Sequence, residues 1–270
     1  MNLVKAVLFH GAFAVRCIMA ASWRYKLPLA LYFVTYFGCR AVDLDLPGWE
    51  MVVEVNKVKL CFKAFSHETT PIREVMFDRS YEIVEGFAPQ PGQVVVDLGA
   101  NIGVYSLVQS RKMGGKGRVY AVEPNPDVYK RLQKNVTLNQ ALNVHTIEAA
   151  VYSRSGRIDF QCERNTLISK IARGETGTTL VTAITLDELV ASQGIRSIDI
   201  LKIDVEGSEI DVLLGGQHAL DICRRIVVEC EDDDIAERVK ALLSNKGFSL
   251  IFEGARRATF SHLFFVRDEK

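Results

Sequence analysis

The chain has 270 residues, 48% of them apolar, and carries 33 Lys and Arg against 33 Asp and Glu. That length suits one domain with an added element or two small ones, and the apolar share is enough for a large core. A nucleic-acid binder shows a basic excess, so that class is disfavoured and no nucleic-acid partner is expected.

Charge is nevertheless uneven along the chain. Residues 1–42 hold Lys5, Arg16, Arg24, Lys26 and Arg40 and not one acid. Pro28 and Gly38 divide this apolar, basic stretch, which reads as two helices or a helix and a half. Its first run is long enough to span a bilayer but contains Arg16, and Lys5 and Arg16 fall on one helical face. The second run, residues 27–38, is too short to span. Three readings stay open: a cap over a site, a helix lying in a membrane interface, and a cleaved leader. The expected location is the cytoplasm, at the membrane surface if the second reading holds. The six cysteines, Cys17, Cys39, Cys61, Cys162, Cys223 and Cys230, form no C-x-x-C pair and no zinc-like spacing. They read as small buried hydrophobes in a reducing compartment.

Residues 50–64 read as a β-hairpin turning at Asn56-Lys57. Residues 70–87, opening with Thr70 and Pro71, read as a helix leading toward the core. From residue 94 the rhythm changes. Strands are expected at 94–99, 118–124 and 144–151, with helices at 102–113 and 126–139 between them. Alternation at this spacing argues for an α/β fold with a parallel sheet covered on both faces. Residues 156–184 pause the pattern as a hairpin excursion. A helix (185–192), a strand (198–204), a helix (208–214) and a strand (225–231) resume it. A helix over 234–246 ends at Gly247, and FSLIFE and HLFFVRD close the chain as an antiparallel pair. The expected division is an N-terminal extension over 1–69 and a main domain over 70–270.

The stretch VVVDLGANIG (94–103) is a buried strand ending in an acid and opening into a glycine loop. Such a loop lets backbone approach a ligand at the carboxyl end of an open sheet. A dinucleotide site wants G-x-G-x-x-G, but Asn101 stands where the middle glycine would be, and no P-loop lysine follows. Asp97 suits a ligand with an ammonium or sulfonium group, and S-adenosylmethionine carries both. Glu123, 20 residues beyond Gly103 at the end of the second strand, can accept hydrogen bonds from ribose hydroxyls. In IDILKIDVEGSE (198–209), Lys202 and Asp204 share a strand face, and Ser208 can cap the next helix. Lys202 lies inside an apolar strand and needs a partner, Asp204 or Glu229. Glu206, Glu229 and Glu231 come to the same edge.

DLGANIGVYS, AVEPNP, TLDEL and IDILKIDVEGSEIDVLLGG together resemble the FkbM-type family of class I S-adenosylmethionine-dependent methyltransferases. The likeness runs from roughly residue 70 to the C-terminus. It implies a Rossmann-like seven-stranded sheet, mostly parallel, with the last hairpin reversing one strand. It also implies O-methylation of a small molecule, commonly at sugar or polyketide hydroxyls; the composition of residues 1–42, read as a cap that also touches lipid, would suit a lipid-linked acceptor. Carried over by position, Asp97, Gly99, Asn101 and Gly103 hold the methionine part of the donor and Glu123 the ribose. Lys202, Asp204, Glu206 and Glu229 lie on the substrate side. For the adenine, Ala150 and Val151 are favoured over Glu148 and Ser153. The expected chemistry is in-line displacement, with Asp204 as base, Lys202 setting its charge state and Glu229 orienting the acceptor. No metal is assigned; a divalent ion on Asp204, Glu206, Glu229 and Asp232 is the less favoured reading of the same acids. The rival functions are a catalytically inactive binding module and a nicotinamide-dependent oxidoreductase. Oligomeric state is not legible.

Overall fold

The computed structural model describes residues 3–41, 48–64, 66–161, 170–171, 178–254 and 261–268. Cys162 and part of the 156–184 excursion lie outside the described residues, as do the side chains of Lys5, Cys39 and Arg40. The other four cysteines are free and buried, as expected.

Helices α1 (Leu3–Ala20) and α2 (Trp23–Ala41) form the N-terminal pair, and Pro28 sits inside α2 without ending it. Among the described residues, no helix is long and apolar enough to cross a membrane. Strands β1 (Glu50–Val55) and β2 (Val58–Lys63) make the expected hairpin. Asn56 and Lys57 take φ of 49° and 63°, the left-handed pair that a two-residue turn needs to match strand twist.

Helix α3 (Thr70–Met76) follows Thr69 without a side-chain cap and is shorter than the predicted helix over 70–87. The amides of Phe77 and Asp78 both bond back to the Arg73 carbonyl, and Arg79 then takes φ of 53°. That turn breaks the helix and lets Tyr81, Glu82 and Phe87 be buried separately.

The alternating units follow: β3 (Val94–Leu98), α4 (Val104–Lys112), β4 (Arg118–Val122), α5 (Pro126–Leu138) and β5 (Val144–Ile147). The strand predicted over 144–151 divides. Its last part, β6 (Ala150–Val151), pairs instead with β9 (Thr178–Ile184). With β7 (Gly156–Gln161) and β8 (Lys170–Ile171), these form a second sheet of order β6-β9-β7-β8, the predicted excursion. Helix α6 (Leu186–Ser192) starts with a reciprocal cap between Thr185 and Glu188. Then come β10 (Ile200–Ile203), α7 (Glu209–Leu214), α8 (Gln217–Asp221), β11 (Arg225–Cys230), α9 (Asp233–Asn245), β12 (Phe248–Glu253) and β13 (Ser261–Arg267). Ser208 precedes α7 without a side-chain cap; the Glu209 carboxylate accepts from the Gly207 amide instead.

The main sheet has seven strands in the order β12-β13-β11-β10-β3-β4-β5. Its pairs from β11 to β5 are parallel, and β13 runs antiparallel to both neighbours. Alternate side chains feed two cores. Val95, Val119, Ala121 and Ile200 join one with the N-terminal helices and hairpin. Val96, Leu98, Val122, Leu201 and Ile203 join the other with α6 to α9. The α/β expectation, a mostly parallel seven-stranded sheet covered on both faces, is the fold the chain adopts.

One side chain ties the hairpin to the main sheet. The Asn135 carbonyl oxygen on α5 accepts from the Cys61 amide at 2.5 Å. Its NH₂ group donates to the carbonyls of Cys61 at 3.0 Å and Ile102 at 2.8 Å.

Candidate active site

Strand order reverses between β3 and β10, so the chain leaving each strand turns away and opens a cleft at their carboxyl ends. The cleft holds about 940 Å³ of free space, counted to its open mouth. Gly99, Ala100 and Asn101 form one wall, with Glu123 from the end of β4. Gly99 takes φ of +73°, and a Cβ there would sit 1.7 Å from the Asp204 carbonyl oxygen. Gly103, at φ +85° before α4, leaves no room beside Leu132. Its conformation starts α4 at Val104 rather than at residue 102.

Glu123 is buried and accepts from the Asn101 amide at 3.0 Å and the Asn125 amide at 2.8 Å, one on each oxygen. Each carboxylate oxygen has a second lone pair for a ligand hydroxyl. Burial pushes its pKa up to about 7, against the opposing pull of those two amides and of Lys202. Ala149, Ala150, Val151 and Phe160 supply an apolar side. Ser153 is turned to Asp211 instead.

The deep end is charged. Lys202 is buried, with its ammonium 3.0 Å from Asp97 and 3.2 Å from Asp204. Burial works against that charge, but the carboxylates of Asp204 and Asp97 outweigh it and hold the pKa above the ordinary lysine value. Asp97 also accepts from the Ser106 hydroxyl at 2.6 Å. It therefore lies beneath the cleft rather than on its wall, with its charge balanced from within the protein. The partners predicted for Lys202 were Asp204 or Glu229; Asp204 is one, and Asp97 takes the place of Glu229.

Tyr81 links the two remaining acids. Its hydroxyl stands 2.9 Å from Asp204 Oδ2 and 2.8 Å from Glu229 Oε2. The His262 ring nitrogen Nε2 lies 2.9 Å from the same Glu229 oxygen. Burial, then the charges of Asp204 and Glu229, push the Tyr81 pKa well up, so the phenol keeps its proton. Glu74 on α3 also faces the cleft, its pKa raised to about 7 by burial and by Glu229. Glu206, at φ 54°, is raised by burial and by the charges of Asp204 and Glu231. Among the described residues, no three His, Cys, Asp or Glu side chains are grouped to hold a metal ion. Asp232 caps α9, accepting from the Ile235 amide at 2.8 Å.

Of the residues expected at the site, Gly99, Asn101, Glu123, Ala150, Val151, Lys202, Asp204, Glu206 and Glu229 line the cleft. Asp97 and Gly103 support it from behind. Sequence reasoning missed Tyr81, Glu74, His262 and Tyr105. Tyr105 lines the cleft, and its buried hydroxyl has no hydrogen-bond partner among the described residues. Tyr81 was hidden because residues 70–87 read as a helix, where its direction could not be assigned.

Comparison with known proteins adds four findings. The family profile described as the Methyltransferase FkbM domain matches residues 97–250. The 31-O-demethyl-FK506 methyltransferase FkbM of Streptomyces tacrolimicus is 32% identical over 245 residues, spanning 78% of this chain and 90% of that protein. The hexuronic acid methyltransferase AglP of Haloferax volcanii is 31% identical over 156 residues, 58% of this chain and 63% of that one. Among solved structures, Aeropyrum pernix fibrillarin in complex with S-adenosyl-L-methionine superposes with a TM-score of 0.51 at 14% identity. It covers 80% of this chain and 82% of its own, a likeness of fold.

Proposed function

Because the chain belongs to the FkbM family of S-adenosylmethionine-dependent methyltransferases, we propose that it methylates a hydroxyl oxygen of a sugar-like, polyketide-like or lipid-linked small molecule, with Asp204 as the base. The observation that carries the reading is the Asp204 carboxylate at the cleft, held on Oδ2 by Lys202 and Tyr81 while 22% of the side chain stays open. The named activities of the two relatives, one on a 31-O position and one on a hexuronic acid, support oxygen as the acceptor atom.

The cleft fits the donor. Glu123 has lone pairs to spare for ribose hydroxyls, the Tyr105 hydroxyl is buried and unmatched, and the Ala150 side is apolar, as a purine face requires. The bound donor supplies a methyl group already activated on a positively charged sulfur. The protein's work is therefore alignment, on the order of 7–11 kcal/mol, and removal of one proton. Lys202, 3.2 Å from Oδ2, fixes the Asp204 carboxylate in place to receive that proton. Tyr81 has one hydrogen for two carboxylates. When it donates to Glu229, a lone pair of Asp204 Oδ2 is released toward the cleft. When Asp204 has taken the acceptor's proton, that carboxyl can donate to the Tyr81 oxygen. Glu229, with the His262 ring nitrogen 2.9 Å away, anchors the phenol and orients the acceptor.

Tyr81→Phe is therefore expected to lower kcat by about tenfold to a hundredfold with little change in donor Kd. It should also shift the pH–rate profile, which loss of packing alone would not do.

The test of the whole reading is isothermal titration with S-adenosylmethionine, S-adenosylhomocysteine and NADH, followed by an acceptor screen. Binding of the first two, weakened by Glu123→Ala and absent for NADH, is expected. NADH binding would favour the oxidoreductase, and donor binding without turnover on any hydroxyl acceptor the binding module. The Glu123 pKa also sets a sign. An ionised carboxylate accepts two ribose hydroxyls, so donor affinity should rise with pH and level off above about 7. Glu123→Gln should flatten that rise. For the free protein the sense is opposite. The folded state holds this proton more tightly than the unfolded chain, so its contribution to stability falls as pH climbs from about 4.5 to about 7.

A further inference from the structure

Over the described side chains, residues 12–35, helices α1 and α2 bury one face and expose the other. Phe13, Cys17, Leu29, Tyr32 and Phe33 enter the core. The opposite face carries Val15 and Met19 on α1, and Trp23, Leu27, Leu31 and Val34 on α2, each more than half exposed and Trp23 at 85%. The spacing on α2 is four, four and three residues, one continuous stripe roughly 16 Å long at 1.5 Å per residue. With Val15 and Met19, this helix pair exposes six large apolar side chains, more than a monomer in water leaves uncovered without a reason. The charges that the two helices themselves carry have one sign. Residues 1–42 contain five Lys and Arg and no acid, and Arg16, Arg24 and Lys26 are exposed beside the stripe. Arg16 reaches Asp78 at 3.4 Å, and Arg24 lies 3.9 Å from Glu54. The Arg24 pair is long and half in water, so Arg24 and the exposed Lys26 remain available to another anion.

We propose that this face docks flat on an anionic lipid surface, the apolar stripe entering the headgroup boundary and the basic side chains meeting phosphate. An apolar stripe with basic flanks, on helices that do not meet the requirement for crossing, is the composition of an interfacial helix. The face is joined to the cleft. Arg16 donates to the Phe77 carbonyl at 2.9 Å, and Phe13 packs edge-on against Phe77, the residue that ends α3. Pro71, Glu74 and Val75 of α3 line the cleft. Docking therefore sets the α3 wall of the active site close to the lipid, where an acceptor with a hydrophobic tail is concentrated.

The test uses the full chain in flotation with vesicles of phosphatidylcholine, with and without phosphatidylserine. Binding to the phosphatidylserine vesicles, reduced by salt, is expected. Trp23→Ser with Leu27→Ser should lower partitioning by roughly tenfold or more, the loss expected from withdrawing two apolar side chains from an interface. Donor binding by the same variant should be unchanged, which separates this proposal from the methyl-transfer reading. Failure to float with either vesicle would overturn it. So would a dimer in solution that the double variant dissociates, since the stripe would then belong to a second copy of the chain.

Discussion

Asp204→Asn is expected to lower kcat by about 10²–10⁴-fold while leaving donor affinity within about twofold. The amide has nearly the shape of the carboxylate and can still meet Lys202 and Tyr81, which lie 3.2 Å and 2.9 Å away. It cannot take a proton at neutral pH. The two measurements are single-turnover methyl transfer and donor titration on the same preparation. Equal losses in both would mean that Asp204 holds the donor rather than the proton. No loss in either would remove it from the chemistry and leave Glu229 as the next carboxylate to test. Folding is the control, because Lys202 loses one of two charge partners. Asp97, at 3.0 Å, still balances the ammonium, so the variant should remain folded.

The second large effect is expected from Gly99→Ala. Two costs add there. A residue with a Cβ at φ +73° costs about 1–2 kcal/mol. The added carbon would also sit 1.7 Å from the Asp204 carbonyl oxygen, which is backbone and cannot rotate away. Overpacking adds about 1–3 kcal/mol. Denaturant unfolding should show a loss of roughly 2–5 kcal/mol. Whatever protein remains folded should be poor in both donor binding and turnover, since the glycine loop and the Asp204 turn must move apart. Gly114→Ala is the comparison. It also has positive φ, at 61°, but open space around it, so it should show the conformational cost alone.

Much of this was legible in the sequence because the responsible forces are local or periodic. VVVDLG is apolar on both faces and can only be a central strand. Two glycines four residues apart announce a turn that side chains would block. The alternation of Lys202 and Asp204 with Leu201 and Ile203 puts the charged pair on one face and the apolar pair on the other, and the two faces enter different cores. What stayed hidden depends on contacts between residues far apart in the chain. Tyr81 reaches Asp204 and Glu229 across 123 and 148 residues. No spacing rule connects a tyrosine in a polar turn with two strand ends. The sense of Asp97 was hidden for the same reason. Its acid suggested a ligand cation, but the cation it meets is Lys202, on the neighbouring strand in register. The break at residue 77 was illegible too, since no glycine or proline stands there and Arg79 adopts the left-handed turn instead.

The Asn135 amide has a consequence for the order of folding. Its bonds to Cys61 and Ile102 close intervals of 74 and 33 residues. Closing long intervals costs entropy before any contact rewards it, so such links form late. During synthesis the N-terminal hairpin leaves the ribosome well before α5 exists, and β2 must wait for its partner. The stretch Asn101–Gly103 gains its carbonyl anchor only when α5 docks. Ligand affinity should therefore appear among the last properties of a refolding chain, trailing the recovery of helical signal, because one buried amide gathers three separately made segments.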